Sequence, residues 1–282
     1  MDFTISKYKS LLKSLISQGY TFQTYAEYLN SPADRVVLLR HDVDKRPENS
    51  FAFAVIENEM GVAGTYYFRI LPCSFNESII TIINNLGHEI GYHYEDMDLG
   101  YKRLQAAGGR HRAKQISEID LADIAIDSFS SNLLRFRNIA PIDTICMHGS
   151  PLSKYDNRHL WKYYNYREYG LVGEPYFDTD FEKVLYLSDT GRRWDGSTVS
   201  IRDKVKTTPE LLRFHFRSTA SIISSAENGL LPDRLMLTLH PQRWTSNPLM
   251  WVQEIISQNL KNVIKWALIN FKKNIGLYGQ SN

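Results

Sequence analysis

From Arg35 onward the chain alternates short apolar, β-branched runs with longer stretches of helical spacing, and no other feature narrows the fold as far. The first run, Val36-Val37-Leu38-Leu39, is apolar at every position, as a strand covered on both faces must be. Repeated strand-then-helix order joins parallel neighbours in one sheet. Strands are expected at 36–40, 65–69, 89–93, 144–148, 171–173, 184–188 and 235–240, with helices at 48–60, 76–86, 116–137 and 209–228 and a closing helix over 249–272. About seven parallel strands of an α/β chain admit an open doubly wound sheet or a (β/α) barrel. The barrel is expected, because chemically able residues end strand after strand, and barrel active sites assemble at the carboxyl ends of their strands.

The 282 residues suit one such barrel, so 1–282 is read as a single catalytic domain. Tyr8, Leu11, Leu12, Leu15 and Ile16 recur at helical spacing and stop at Gly19, which predicts a helix in an N-terminal extension, 1–34, packed outside the barrel. Gly108, Gly109 and the basic run Arg110, His111, Arg112, Lys114 predict an exposed loop over 95–115. The stretch 155–180, crowded with Trp161 and five tyrosines from Tyr163 to Tyr176, is expected to form a lid.

Thirty-three basic residues against 31 acidic ones give a net charge of +2, so there is no electrostatic case for nucleic acid or a membrane surface; a small or neutral partner is expected. No run is long and apolar enough to span a bilayer, and Met1 to Tyr20 lacks the apolar block and cleavage site of a signal peptide, which predicts a cytoplasmic address. Cys73 and Cys146 lack metal-type spacing and read as free, reduced thiols. Nothing in the sequence sets an oligomeric state.

Arg40-His41-Asp42-Val43-Asp44 follows the first apolar run directly, placing two acids at a strand's exit. Residues two apart on an extended chain point the same way, so Asp42 and Asp44 can share one site. Two facing carboxylates repel unless a cation or a shared proton intervenes, and a metal resolves the conflict. Capping of the following helix is the alternative role for Asp44. In Gly87-His88-Glu89-Ile90-Gly91-Tyr92-His93, the two histidines are five apart and face opposite sides, so His93 is the better ligand and His88 a structural residue at the strand's start.

Together these motifs, from about Val36 to Trp244, resemble the polysaccharide deacetylase family, also called the NodB homology domain or family-4 carbohydrate esterases. The resemblance implies a distorted TIM barrel, with Asp42 as general base and Asp44 as metal ligand. Gly64-Thr65-Tyr66-Tyr67-Phe68 looks like the family's second strand, and Leu239-His240 is similar to its final motif, implying that His240 is the general acid. The family places a second ligand histidine four residues after the first; that position here is Met97, a poor donor to zinc. His148, followed by Gly149, Ser150 and Pro151, is preferred as third donor, with Asp96 as the other choice. Asp189, Trp194, Arg243 and Trp244 are candidate substrate contacts, the indoles stacking on sugar faces, or else ordinary packing.

The expected function is therefore metal-dependent hydrolysis of an N-acetyl or related acyl group on an amino sugar, in a polysaccharide or its precursor, with a divalent cation, zinc first, as cofactor. Arg40 or His41 is expected to orient the carboxylates from behind. A catalytically degenerate carbohydrate-binding protein on the same scaffold is the rival, supported by Met97. The pair His41-Asp42 also resembles the His-Asp pair of all-helical metal phosphohydrolases, but it follows a β-branched run rather than lying in a helix.

Overall fold

The computed structural model describes residues 1–149, 153–194 and 205–259, without the side chains of 109–114. In chain order the elements are α1 (Ile5–Ser17), β1 (Thr21–Gln23), α2 (Tyr25–Asn30), β2 (Val36–Val43), α3 (Pro47–Glu59), β3 (Thr65–Phe68), α4 (Glu77–Asn85), β4 (Glu89–Tyr94), α5 (Asp96–Gln115), α6 (Glu118–Arg137), β5 (Ile145–Met147), α7 (Pro175–Asp178), β6 (Leu185–Ser188), α8 (Pro209–Leu212), α9 (Thr219–Glu227) and β7 (Arg234–Leu239). A further helix, α10, covers 248–259. No helix among the described residues is long and apolar enough to cross a membrane.

Every strand pair is parallel, in the order β5-β4-β3-β2-β7-β6. Strand β7 runs along one edge of β2 from Val36 to His41. The other edge is shared by β1, against Val36 to Leu38, and β3, against Arg40 to Val43. In a flat sheet β4 and β7 would stand three strand spacings apart, roughly 14 Å. Yet His93 on β4 brings Nε2 to 3.7 Å from Asp44 Oδ1, and His240 after β7 brings Nε2 to 3.9 Å from Oδ2 of the same carboxylate. The sheet is therefore rolled into an incomplete barrel, with its seam between β5 and β6. One parallel bridge, Thr144 to Gly173, borders that seam.

The alternation of β2 divides the core. Val36 and Leu38 point inward and close the amino-terminal end of the barrel with Tyr25, Tyr28, Phe181, Val184 and Met236. Val37, Leu39 and Val43 point outward into the larger layer between sheet and helices, with Tyr8, Leu11, Phe53, Tyr66 and Phe129. Burial of each such aliphatic side chain stabilises the fold by about 1.5–3 kcal/mol. The inward row continues as Arg40 and Asp42, so the barrel changes from apolar to polar along its axis. Beneath the polar end, the ring of Tyr67 lies over Gly91, where an added Cβ would come within 2.4 Å of two ring carbons. Glycine is thus required two residues before His93.

Several expectations are corrected. The N-terminal stretch is more than an outer helix: α1 packs outside the sheet against α9 with Tyr8, Leu11, Leu12 and Leu15 buried, but Thr21–Gln23 form β1 and join the sheet. The expected loop over 95–115 is the helix α5, which packs on α6 with Met97 in the core, so tertiary contact overrides the two glycines. Residues 171–173 form a single bridge rather than a strand. The stretch 209–228 is two helices, α9 starting afresh at a Ser218 capping box. The aromatic stretch 155–180 packs against the flank, Trp161 lying edge-on to Phe129 and Tyr94 at 4.9 and 5.5 Å. The turn at Ser150 and Pro151 and the closing helix beyond residue 259 lie outside the described residues.

Candidate active site

The carboxyl ends of β2, β4, β5 and β7 converge on one polar cleft. Arg40 and Asp42 share a face of β2, and the guanidinium grips the carboxylate with two bonds, Nε to Oδ1 at 2.8 Å and Nη2 to Oδ2 at 2.7 Å. Burial alone would raise the Asp42 pKa, but Arg40 and His93 hold it below the ordinary value, so the group is ionised at neutral pH. Of the two residues expected to orient the acids, Arg40 does so; His41 faces the other way, toward Glu57 on α3. Asp44 does not cap α3, whose preceding residue is Arg46 in a left-handed conformation with no side-chain cap.

The ring of His93 is oriented by its neighbour strand: Nδ1 is 2.9 Å from the Cys146 carbonyl. A carbonyl only accepts, so Nδ1 carries the proton and Nε2 presents its lone pair to the cleft. Burial pushes the His93 pKa down to about 4, with the Asp42 charge opposing, which leaves the ring neutral and able to ligate. His148 lies just past β5, with Nε2 at 3.5 Å from Asp44 Oδ1 and Nδ1 at 3.2 Å from Glu95 Oε2. Glu95 is in turn held by both Nε and Nη2 of Arg69 at 2.7 Å. Asp96, the other choice for third donor, is turned into the core, where Tyr92, Ser128 and Asn132 all donate to it and burial raises it to about 6.

Asp44 is the group without enough donors. Its side chain is 23% exposed, yet Oδ1 is shut from solvent and accepts no hydrogen bond among the described residues. A buried acceptor in that state is destabilising unless something outside the chain satisfies it. Ligand atoms 2.0–2.2 Å from a tetrahedral cation stand roughly 3.4 Å apart. The separations of 3.7 and 3.5 Å from Oδ1 to the two imidazole nitrogens are close to that edge length, so Asp44 paired with either ring has the donor chemistry and spacing for a divalent cation. The Asp44 pKa is lowered well below the usual carboxylate range: burial opposes this, and His148, His240, His93 and Arg243 outweigh it.

A second donor group overlaps the first. One ligand atom each from Asp42, His93 and Cys146 lie within 4.8 Å of one another, all three residues being buried. Both oxygens of Asp42 already accept from Arg40, and a cation there would face a guanidinium at hydrogen-bond range from its own ligand. The electrostatics favour the group around Asp44.

His240, at the end of β7, is built as a pair with Asp189. Nδ1 stands 2.6 Å from Asp189 Oδ1, and the backbone N–H of His240 donates to Oδ2 at 3.0 Å. Trp244 Nε1 donates to Oδ2 at 2.7 Å and Arg243 Nη1 to Oδ1 at 2.9 Å. Burial opposes ionisation of Asp189, but His240 and Arg243 lower its pKa, so the ionised carboxylate accepts a hydrogen bond from Nδ1–H and Nε2 faces the cleft.

This network corrects the expectation for substrate contacts. Trp244 is 1% and Trp194 4% exposed; both indoles pack with Phe3 and with each other, leaving no face for a sugar. Asp189 is buried with its carboxylate held by His240, Arg243 and Trp244, and Nη1 of Arg243 is bound to Asp189. Glu95, Arg69 and Gln242 are the cleft residues missed by sequence reading. Glu95 and Gln242 each lie two residues beyond a histidine of the site, and that spacing was the available signal.

No family model matches the chain, and no curated protein matches it in sequence. Among solved structures it is similar to one described as the structure of a Streptococcus mutans CE4 esterase, at 11% sequence identity and a TM-score of 0.41, over 94% of this chain and 92% of that one.

Proposed function

We propose that this chain is a metal-dependent hydrolase of the polysaccharide-deacetylase type, removing an N-acetyl or related acyl group from an amino sugar of a polysaccharide or its precursor. The observation that carries the reading is the unpaired, solvent-shut Asp44 Oδ1 facing the Nε2 atoms of His93 and His148. Those three residues would hold the cation, zinc by donor preference, which when bound would supply Lewis acidity toward water and the acyl oxygen.

The remaining chemistry belongs to the chain. Asp42, kept ionised and fixed in direction by Arg40, takes a proton from the attacking water at a carboxylate oxygen. His240 delivers a proton from Nε2 to the departing amine, while Asp189 on Nδ1 fixes the ring and stabilises its charged form. Glu95, anchored by Arg69, orients the His148 ring from behind. Acetate and a free amine are the products.

The test combines metal quantification with acetate release from N-acetylated sugars. The wild-type protein is expected to hold one equivalent of metal and His148→Ala substantially less. Full retention in His148→Ala removes that ligand from the set. Cys146→Ser is expected to keep its metal; loss there moves the cation to the Asp42, His93 and Cys146 group. A wild-type protein that takes up no metal and releases no acetate after loading leaves the carbohydrate-binding alternative.

A further inference from the structure

We propose that Gln242 is a positioning residue that holds Asp44 with a single oxygen free for the cation; the inference rests on the metal reading above. Gln242 lies in the short 3-10 turn Pro241–Arg243 that follows β7. Its neighbours in the turn are fixed, His240 and Arg243 both being bound to Asp189. The Gln242 side chain is itself buried, and Nε2 donates to Asp44 Oδ2 at 3.2 Å.

The two oxygens of Asp44 are thereby made unequal. Oδ2 has an amide donor, whereas Oδ1 has none and is the one directed at both imidazole nitrogens. The orientation of the amide follows from the chemistry: turned over, it would set Oε1 against Oδ2, acceptor against acceptor. As placed, Oε1 is buried without a donor among the described residues. A side chain kept for packing alone would be more stable as an apolar residue, because an unpaired buried acceptor is destabilising. The amide is explained by its donor end. Once that donor is gone, Asp44 is free to turn, Oδ1 is no longer held toward the two imidazoles, and Oδ2 can enter the position needed by water.

Gln242→Met tests this, since methionine matches glutamine in length and flexibility and offers no donor. Cobalt(II) is titrated into purified, metal-free wild-type and variant protein, with visible absorption recorded alongside. The variant is expected to bind cobalt about 10- to 100-fold more weakly, with fainter d–d bands as the coordination number rises. Gln242→Asn, which retracts the amide by one methylene, carries the same cobalt expectations and serves if the methionine variant does not fold. Unchanged cobalt affinity and spectrum in a folded variant overturn the inference and leave the metal reading standing. Wild-type protein that binds no cobalt overturns both.

Discussion

Strand β2 leads to a carboxylate cluster on each of its faces, and the two are supplied differently. On the outer face His41 reaches Glu57, whose Oε1 accepts from Tyr8 and lies 2.8 Å from His41 Nε2, while Oε2 accepts from Tyr66 at 2.8 Å. On the inner face Asp44 is just as crowded by titratable groups, yet one oxygen has no donor. Crowding by histidines therefore does not separate a structural cluster from a reactive one. Donor supply to the carboxylate does: both oxygens of Glu57 accept from tyrosines, whereas Asp44 has one oxygen without a donor among the described residues.

The largest effect expected from breaking this contrast is at Asp44. Asp44→Asn should lose stoichiometric metal and depress hydrolysis by more than the about 10- to 100-fold attached to outer partners of a metal site. The metal-free protein should remain as stable as wild type, because a carboxylate short of donors has been neutralised. Metal analysis decides: full occupancy in this variant ends the assignment. Glu57→Gln should do the reverse. Removing one member of a buried charged cluster costs about 3–5 kcal/mol, read by urea unfolding, with metal affinity unmoved; weaker metal binding would mean that the two faces are coupled through β2.

Glu174 stands between these cases, buried and bonded to the backbone N–H groups of Met147 at 3.0 Å and Tyr176 at 2.5 Å. Burial pushes its pKa up from 4.5 to about 7 against those donors and Arg40. The folded protein holds this proton more tightly than the unfolded chain does. The group thus adds stability below about pH 4.5, and that contribution is lost as pH rises through about 7, a span of about 3 kcal/mol. Glu174→Gln should flatten the stability profile over this window, and an unaltered slope would falsify the shift. Smallest of all, Asp189→Asn should slow turnover by about 10- to 100-fold, the worth of a hydrogen bond to a charged group. Metal affinity should stay at the wild-type value, whereas a parallel loss would make Asp189 part of the metal site.

Much of this cleft is legible in the sequence because strand parity is a local property. The shared face of Arg40 and Asp42, and the opposed directions of His88 and His93, follow from counting by twos, and the coordinates place His88 against Gly64 and Ala54, away from the cleft. What the sequence does not disclose depends on packing between distant segments. Strand β1 is three residues long with no apolar run of its own, and it exists because β2 offers an edge. Helix α5 forms despite Gly108 and Gly109 because α6 covers it. Trp194 and Trp244 look like sugar platforms by type and are core by position, since Phe3, from the far end of the chain, packs against both.

The barrel seam has a consequence for how the protein behaves in a crowd of its own copies. An open strand edge offers unpaired N–H groups on which another chain can add a strand. On β5 the two such groups facing the seam are occupied, that of Ile145 by the Gly173 carbonyl at 3.1 Å and that of Met147 by the Glu174 side chain. A carboxylate thus finishes a ladder that the backbone leaves short, and the β5 side of the seam offers neither of these N–H groups as a template for a strand of another copy.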